Sequence, residues 1–209
     1  MGKVVFNMTM SLDGFVAGSN DGLNNPLGDH GQHLFTWYNS GDTVYKMPGG
    51  EWAFKISAAS AANLDKAIKS SGALVTGRRT FDIAHAWGGQ HPINLPIVVL
   101  THHVPQEWVK EGSPFTFVTD GIESAIQQAR VLAGDKNIAV GSASTLQQCL
   151  KGGLLDELHI DLAPVILGSG LHLFEQFGNA PILLEQHEVI EGHGVTHLTY
   201  RIIKDKLEN

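Results

Sequence analysis

Short apolar runs alternate with helix-forming stretches along most of this chain. Residues 4–10 are apolar and β-branched and predict a first strand. Residues 57–72 predict a helix, with Ser57 able to cap its start and Gly72 to end it. A short buried strand over 73–76 and a second helix over 79–86 follow. The run PIVVL at 96–100 does not alternate, which is the pattern of a strand covered on both faces. Residues 115–118 predict another strand, and Asp120 with Glu123 a capping box for a helix to Ala133. Next come a strand at 137–140, a helix over 142–151 closed by Gly152 and Gly153, and a strand from Glu157 that Pro164 ends. The last two runs, 182–191 and 195–203, flank Gly-His-Gly and predict a β-hairpin. Single helices between strands imply βαβ units and a mostly parallel sheet, made mixed by the final hairpin.

Residues 18–52 break this rhythm. They are rich in Gly, Asn, Asp and His, with Trp37, Tyr38, Tyr45 and Trp52 spread through them. A loop of that length inside one domain points to a functional lid, and its aromatics offer stacking surface. No repeat or linker divides the chain, so a single domain is expected over 1–209.

The 209 residues, 43% of them hydrophobic, suffice for one sizeable core. A net charge of −7 with 14 Lys and Arg provides no basic face for nucleic acid and no polybasic patch for a membrane. Cys149 is the only cysteine, which excludes an intramolecular disulfide and a cysteine-rich zinc site. The 11 histidines show no ligand spacing with a supporting carboxylate, so no metal site is expected. Neither a signal-peptide core nor a membrane-length apolar run is present, and a cytoplasmic protein is expected.

The candidate chemistry sits where strands hand over to helices. Gly72 and Gly77 have P-loop spacing, but Arg78 and Arg79 replace the lysine and the hydroxyl residue. Gly168-Ser169-Gly170 lacks the third glycine of a dinucleotide fingerprint, because Leu173 stands there. The physical logic of both motifs survives elsewhere. Gly77 permits close approach at a strand end, and Arg78, Arg79 and Thr80 place donors at a helix start, where an anion is favoured. Gly141, Ser142, Ser144 and Thr145 repeat the design, and the end of PIVVL at 100–103 supplies a third rim. Two phosphate-gripping junctions and a third for an adenosine end suit an extended dinucleotide. Asp13, just past the first strand, is the candidate for substrate binding or proton relay, and it equally suits a turn before Gly14. Trp52 and Trp87 are candidates for stacking on a substrate.

The segments SLDGFVAG, GALVTGRRTFD, PIVVLTHH and GGLLDELHIDLAPVILGSG, in that order, resemble the dihydrofolate reductase-like superfamily. The RibD C-terminal domain family of riboflavin biosynthesis is the branch they match. The resemblance implies a three-layer α/β fold, with a mixed, mostly parallel central sheet and a C-terminal antiparallel hairpin. It implies NADPH as hydride donor and a homodimer. The cofactor would lie against Thr76, Gly77, Arg78, Arg79 and Thr80, against Leu100, Thr101 and His102, and against Gly141, Ser142, Ala143, Ser144 and Thr145. Ala17, with Asp13 and Gly14, would border the nicotinamide and a small-molecule substrate. The implied reaction is reduction of 5-amino-6-(5-phosphoribosylamino)uracil or a related heterocycle. Dihydrofolate reduction and non-catalytic NADP(H) binding are the alternatives. Three departures stand out. Ser142 follows Gly141 where the family has a glycine pair, His102 and His103 stand where an arginine often grips the 2′-phosphate, and the helix over 57–70 carries only Asp65 as an acid. In 154–158, Asp156 and Glu157 are expected to satisfy backbone donors at a turn.

Overall fold

The computed structural model describes residues 2–50, 52–175, 177 and 181–204. The chain runs β1 (Val4–Ser11), β2 (Phe15–Ala17), a 3-10 helix (Gly31–Asn39), β3 (Thr43–Lys46), β4 (Ala53–Ile56), α1 (Ala58–Ser70), β5 (Ser71–Gly77) and α2 (Arg78–Ile83). A second 3-10 segment (His85–Gly89) precedes β6 (Ile97–Leu100), β7 (Phe115–Val118), α3 (Ile122–Ala133), β8 (Asn137–Gly141), α4 (Ala143–Lys151), β9 (Glu157–Ala163), β10 (Leu171–His172), β11 (Leu184–Gly192) and β12 (Val195–Ile202).

The central sheet has eight strands in the order β11-β12-β9-β1-β8-β5-β6-β7. The strands β9, β1, β8, β5, β6 and β7 are parallel, and β12 and β11 close one edge antiparallel. This is the mixed, mostly parallel α/β sheet with a terminal hairpin that the sequence predicts.

Period-two burial explains the layers. Val4 and Phe6 of β1 pack with Val75, Val140, Leu158 and Ile160 against α3 and α4, through Ile126, Ala129 and Leu146. The alternate residues face the other side, where Leu74, Ile97, Val99 and Phe115 enclose Phe81 of α2. On that same side Trp37, Ile56 and Val195 form a third apolar cluster beside α1. Val98 joins the first cluster while Ile97 and Val99 join the second, so PIVVL is indeed covered on both faces.

Several local expectations need correction. Residues 18–52 are not a featureless loop, for they hold the first 3-10 helix and β3, which pairs with β4. The helix expected over 79–86 stops at Ile83, because His85, Ala86 and Trp87 take φ of 48°, 51° and 50°. Asp120 caps nothing; Gly121, at φ 109°, is the N-cap of α3 and its turn replaces the capping box. Asp156 does hold a backbone donor, Val4 N, but Glu157 instead takes Lys3 Nζ at 2.6 Å. Among the described residues, no helix is long and apolar enough to cross a membrane.

Candidate active site

The carboxyl ends of β5, β6 and β8 form one rim, as parallel pairing requires. Thr76 pairs with Gly141 and Gly77 with Leu100 across that rim. The two glycine-opened helix starts therefore lie side by side. A Cβ on Gly77 would come within 3.1 Å of Ser144 Oγ and 3.2 Å of Ser142 Oγ. Ser142 caps α4 by accepting from Thr145 N, and its hydroxyl lies 2.7 Å from Thr145 Oγ1. It does so at φ 88° and ψ 142°, a conformation that glycine adopts far more readily.

An open groove of about 630 Å³ crosses this rim. Of the expected cofactor residues, Gly77, Arg78, Leu100, Thr101, His102 and Ser144 line it. His103, at the expected third rim, lines it too, as do Thr119, Gly121 and Gln148, which the sequence pattern did not single out as site residues. Thr101 Oγ1 donates to His103 O at 2.8 Å and accepts from His103 N, which fixes the turn after β6. Arg78 is at the groove, but its Nε is paired with Asp82 Oδ1 at 2.7 Å and its Nη1 with His103 O. Arg79 does not line the groove. It turns toward the loop before the first 3-10 helix, holding Asp21 Oδ2 at 2.9 Å and Asp21 O at 2.7 Å. One guanidinium, not two, is left beside the groove, because Asp21 draws the other away. Ala143 and Thr145 are buried inside the α4 start, and Ala17 is buried in β2, whose Val16 packs in the same cluster as Ala143.

Below the rim a cleft of about 440 Å³ runs between the sheet and α1. Thr76, Thr80, Gly141 and Ser142 line its upper end, and they belong to the same two junctions as the Gly77, Arg78 and Ser144 that line the groove. Deeper in, the sheet wall carries Asn7 and His159, which are register partners on β1 and β9. Leu64, Ala67 and Ile68 of α1 form the opposite wall. Thr76 Oγ1 is fully buried and has no hydrogen-bond partner among the described residues, an expensive state for a hydroxyl unless something else satisfies it. Burial holds the His159 imidazole below its usual range and holds His91 down to about 4, so both are neutral at neutral pH.

Trp87 lines the cleft and also a larger outer cavity of about 730 Å³, which Trp52 borders. It stands edge-on to His91 at 4.5 Å, on a left-handed stretch that costs about 1–2 kcal/mol per non-glycine residue. Such strain next to a cavity marks a backbone held for position.

Asp13 does not point to a reacting group. Its carboxylate accepts Ser11 Oγ at 2.6 Å, Gly168 N at 2.7 Å and Leu167 N at 3.1 Å. The Ser11 hydrogen bond, followed by the two backbone donors, lowers its pKa to about 2. An ionised carboxylate of that kind is a loop clasp and not a proton donor at neutral pH. Gly14, at φ 88°, makes the turn that follows.

Comparison with known proteins accords with this architecture. A putative riboflavin biosynthesis protein from Shewanella sp. PV-4 superposes with a TM-score of 0.68 at 21% identity, covering 97% of this chain and 99% of that one. The Thermotoga maritima diaminohydroxyphosphoribosylaminopyrimidine deaminase/5-amino-6-(5-phosphoribosylamino)uracil reductase superposes with a TM-score of 0.58 at 11% identity, over 97% of this chain but 57% of that one. Dihydrofolate reductase from Enterococcus faecalis, complexed with NADP(H), gives 0.51 at 14% identity, over 96% of both chains. At these identities the structures share the fold. A search of curated proteins by sequence gave no match. The model of the RibD C-terminal domain matches residues 2–193, and the chain belongs to that family.

Proposed function

We propose that this protein is an NADPH-dependent reductase that delivers a hydride to a small heterocyclic substrate held in the cleft. The observation that carries the reading is that the same two junctions, Thr76–Gly77 and Gly141–Ser144, supply lining residues to both groove and cleft. An extended dinucleotide in the groove would have its reactive ring at the mouth of a pocket deep enough for a flat molecule.

The residues present fit that cofactor. Gly77 leaves open the space a Cβ would fill, and α4 would present its N-terminus and the Ser142 and Ser144 hydroxyls to a diphosphate. Arg78, Thr101 and His102 would border the adenosine end. The bound nicotinamide supplies the hydride. The chain's own part is to orient the substrate against the sheet, with α1 and Trp87 excluding water. The closest named chemistry is the 5-amino-6-(5-phosphoribosylamino)uracil reduction in the Thermotoga protein's name. Dihydrofolate reduction is disfavoured, because no carboxylate among the described residues lines the cleft and Asp65 is outside it, paired with Lys69.

An equilibrium titration with NADPH, followed by turnover assays on the ribosylaminouracil and on dihydrofolate, tests the reading. Saturable NADPH binding with oxidation of the cofactor by a heterocycle is expected. Absence of NADPH binding refutes the assignment, and turnover of dihydrofolate replaces the substrate class.

A further inference from the structure

Taken as the substrate site of a reductase, the cleft says more about its occupant than the family does. Among the described residues that line the cleft and the outer cavity, there is no Lys, Arg, Asp or Glu. The two cavities share Thr80 and Trp87, so this uncharged lining is continuous from the sheet wall outward. The imidazoles of His91 and His159 add no fixed charge at neutral pH. A phosphate placed here would be partly dehydrated with no cation to receive it, which is strongly unfavourable.

The polar groups that do face the cleft are set by a buried hydrogen-bonded chain. Asn7 Nδ2 donates to Asp161 Oδ2 at 3.4 Å. The other carboxyl oxygen of Asp161 accepts His197 Nδ1–H at 2.6 Å. His197 Nε2 meets Ser60 Oγ at 2.8 Å, and Ser60 in turn accepts from Ser57 Oγ at 2.9 Å at the start of α1. Ser60, Asp161 and His197 are all buried and none of them lines the cleft. With one Nδ2 hydrogen given to Asp161, Asn7 keeps its carbonyl Oδ1 free of any hydrogen-bond partner among the described residues, as an acceptor on a residue that lines the cleft. His159 behaves alike: Nε2 faces Glu157 Oε2 at 3.3 Å, which leaves Nδ1 as an acceptor. The Thr76 hydroxyl, buried and unpartnered among the described residues, can both donate and accept.

We propose that the cleft selects an uncharged, unphosphorylated planar heterocycle whose N–H or amino edge donates to Asn7, with a polar atom engaging Thr76, and that Asp161 is the positioning residue that sets the direction of the Asn7 amide. This selection rests on the reductase function proposed for the same site. The phosphorylated ribosylaminouracil is then a poor substrate, and its dephosphorylated form a better one.

The test compares 5-amino-6-(ribosylamino)uracil with its 5′-phosphate on the wild-type enzyme, so it does not depend on any variant folding. NADPH affinity is measured separately. With NADPH binding intact, the unphosphorylated compound is expected to give a kcat/KM at least tenfold higher. Equal use, preference for the phosphate, or turnover of neither overturns the proposal while leaving cofactor binding standing; loss of NADPH binding itself refutes the underlying reductase reading. Asn7→Leu should raise KM about tenfold with kcat and NADPH affinity held, and Thr76→Val should raise KM by a similar factor. Asp161→Asn can offer its own amide to Asn7, reversing which end of Asn7 faces the cleft. It should raise KM for the same compound by a similar factor at unchanged kcat. A merely structural role would lower the folded fraction and leave KM alone, and that result in all three variants also overturns the proposal.

Discussion

Gly77 shows how one residue can be required for its emptiness and not for its flexibility. Its φ of −85° and ψ of 155° suit any amino acid, so alanine would cost little in backbone energy. The added methyl would instead press on Ser142 and Ser144 at 3.2 and 3.1 Å, in the space proposed for a diphosphate. Gly77→Ala is expected to weaken NADPH about tenfold, roughly 1.4 kcal/mol, with a nearly unchanged melting temperature. Calorimetric titration checks the first and thermal unfolding the second. Asp13 gives a prediction of the opposite kind, visible in stability and silent in chemistry. Its pKa is depressed from 3.8 to about 2 in the folded state, so its contribution is fully present above pH 3.8 and fades as the pH falls through 2. The melting-temperature gap between wild type and Asp13→Asn should be constant from pH 5 to neutrality and close on further acidification, while the neutral-pH rate profile keeps its shape. A changed profile would return Asp13 to the reacting groups.

At the scale of elements, α4 sets a strained cap against a useful one. Ser142 gains the bonds to Thr145 but sits at φ 88°, where a side chain costs about 1–3 kcal/mol. Alanine keeps the strain and loses the cap, so Ser142→Ala should destabilise by about 1 kcal/mol. Glycine gives up the same two bonds, at 3.4 Å to Thr145 N and 2.7 Å to Thr145 Oγ1, but removes the strain, so Ser142→Gly should stay close to wild type in denaturant unfolding. The cap at Ser57 was legible because a hydroxyl residue before a helical run has one obvious use. Asp120 misled for a physical reason: the chain needed a positive φ at the next residue, and Gly121 supplied the turn that the Asp side chain would have stabilised. The 3-10 helix at Gly31–Asn39 left no periodic trace because Trp37 is fixed by Ile56 and Val195 from distant strands. The groove was readable from glycines at strand ends. The cleft was not, since Asn7, Thr76 and His159 lie far apart in the sequence and only the register joins them. The signal that could have found them is polar interruption: an Asn in VVFNMTMS, a Thr closing ALVT and a His within ELHIDLA, each in a strand that is otherwise largely buried.

For the whole molecule, keeping imidazoles neutral inside the cleft ties global stability to pH. His91 is held near 4 by burial, against an ordinary 6.5, and His159 is lowered for the same leading reason. Between those values the unfolded chain takes up a proton at His91 that the folded chain refuses. Stability therefore rises with pH across this window and falls on acidification, by on the order of 1 kcal/mol per pH unit from this one group. The window lies above that of Asp13, so the two effects separate along the pH axis. Unfolding by denaturant at steps from pH 7 to pH 4.5 should show a steady loss of stability. In His91→Gln the side chain no longer titrates, so the curve should flatten by about one proton's worth of slope, even if the variant is less stable at neutral pH. An equal slope in both proteins would mean that His91 takes up its proton at the same pH folded and unfolded, so that burial does not hold this imidazole neutral.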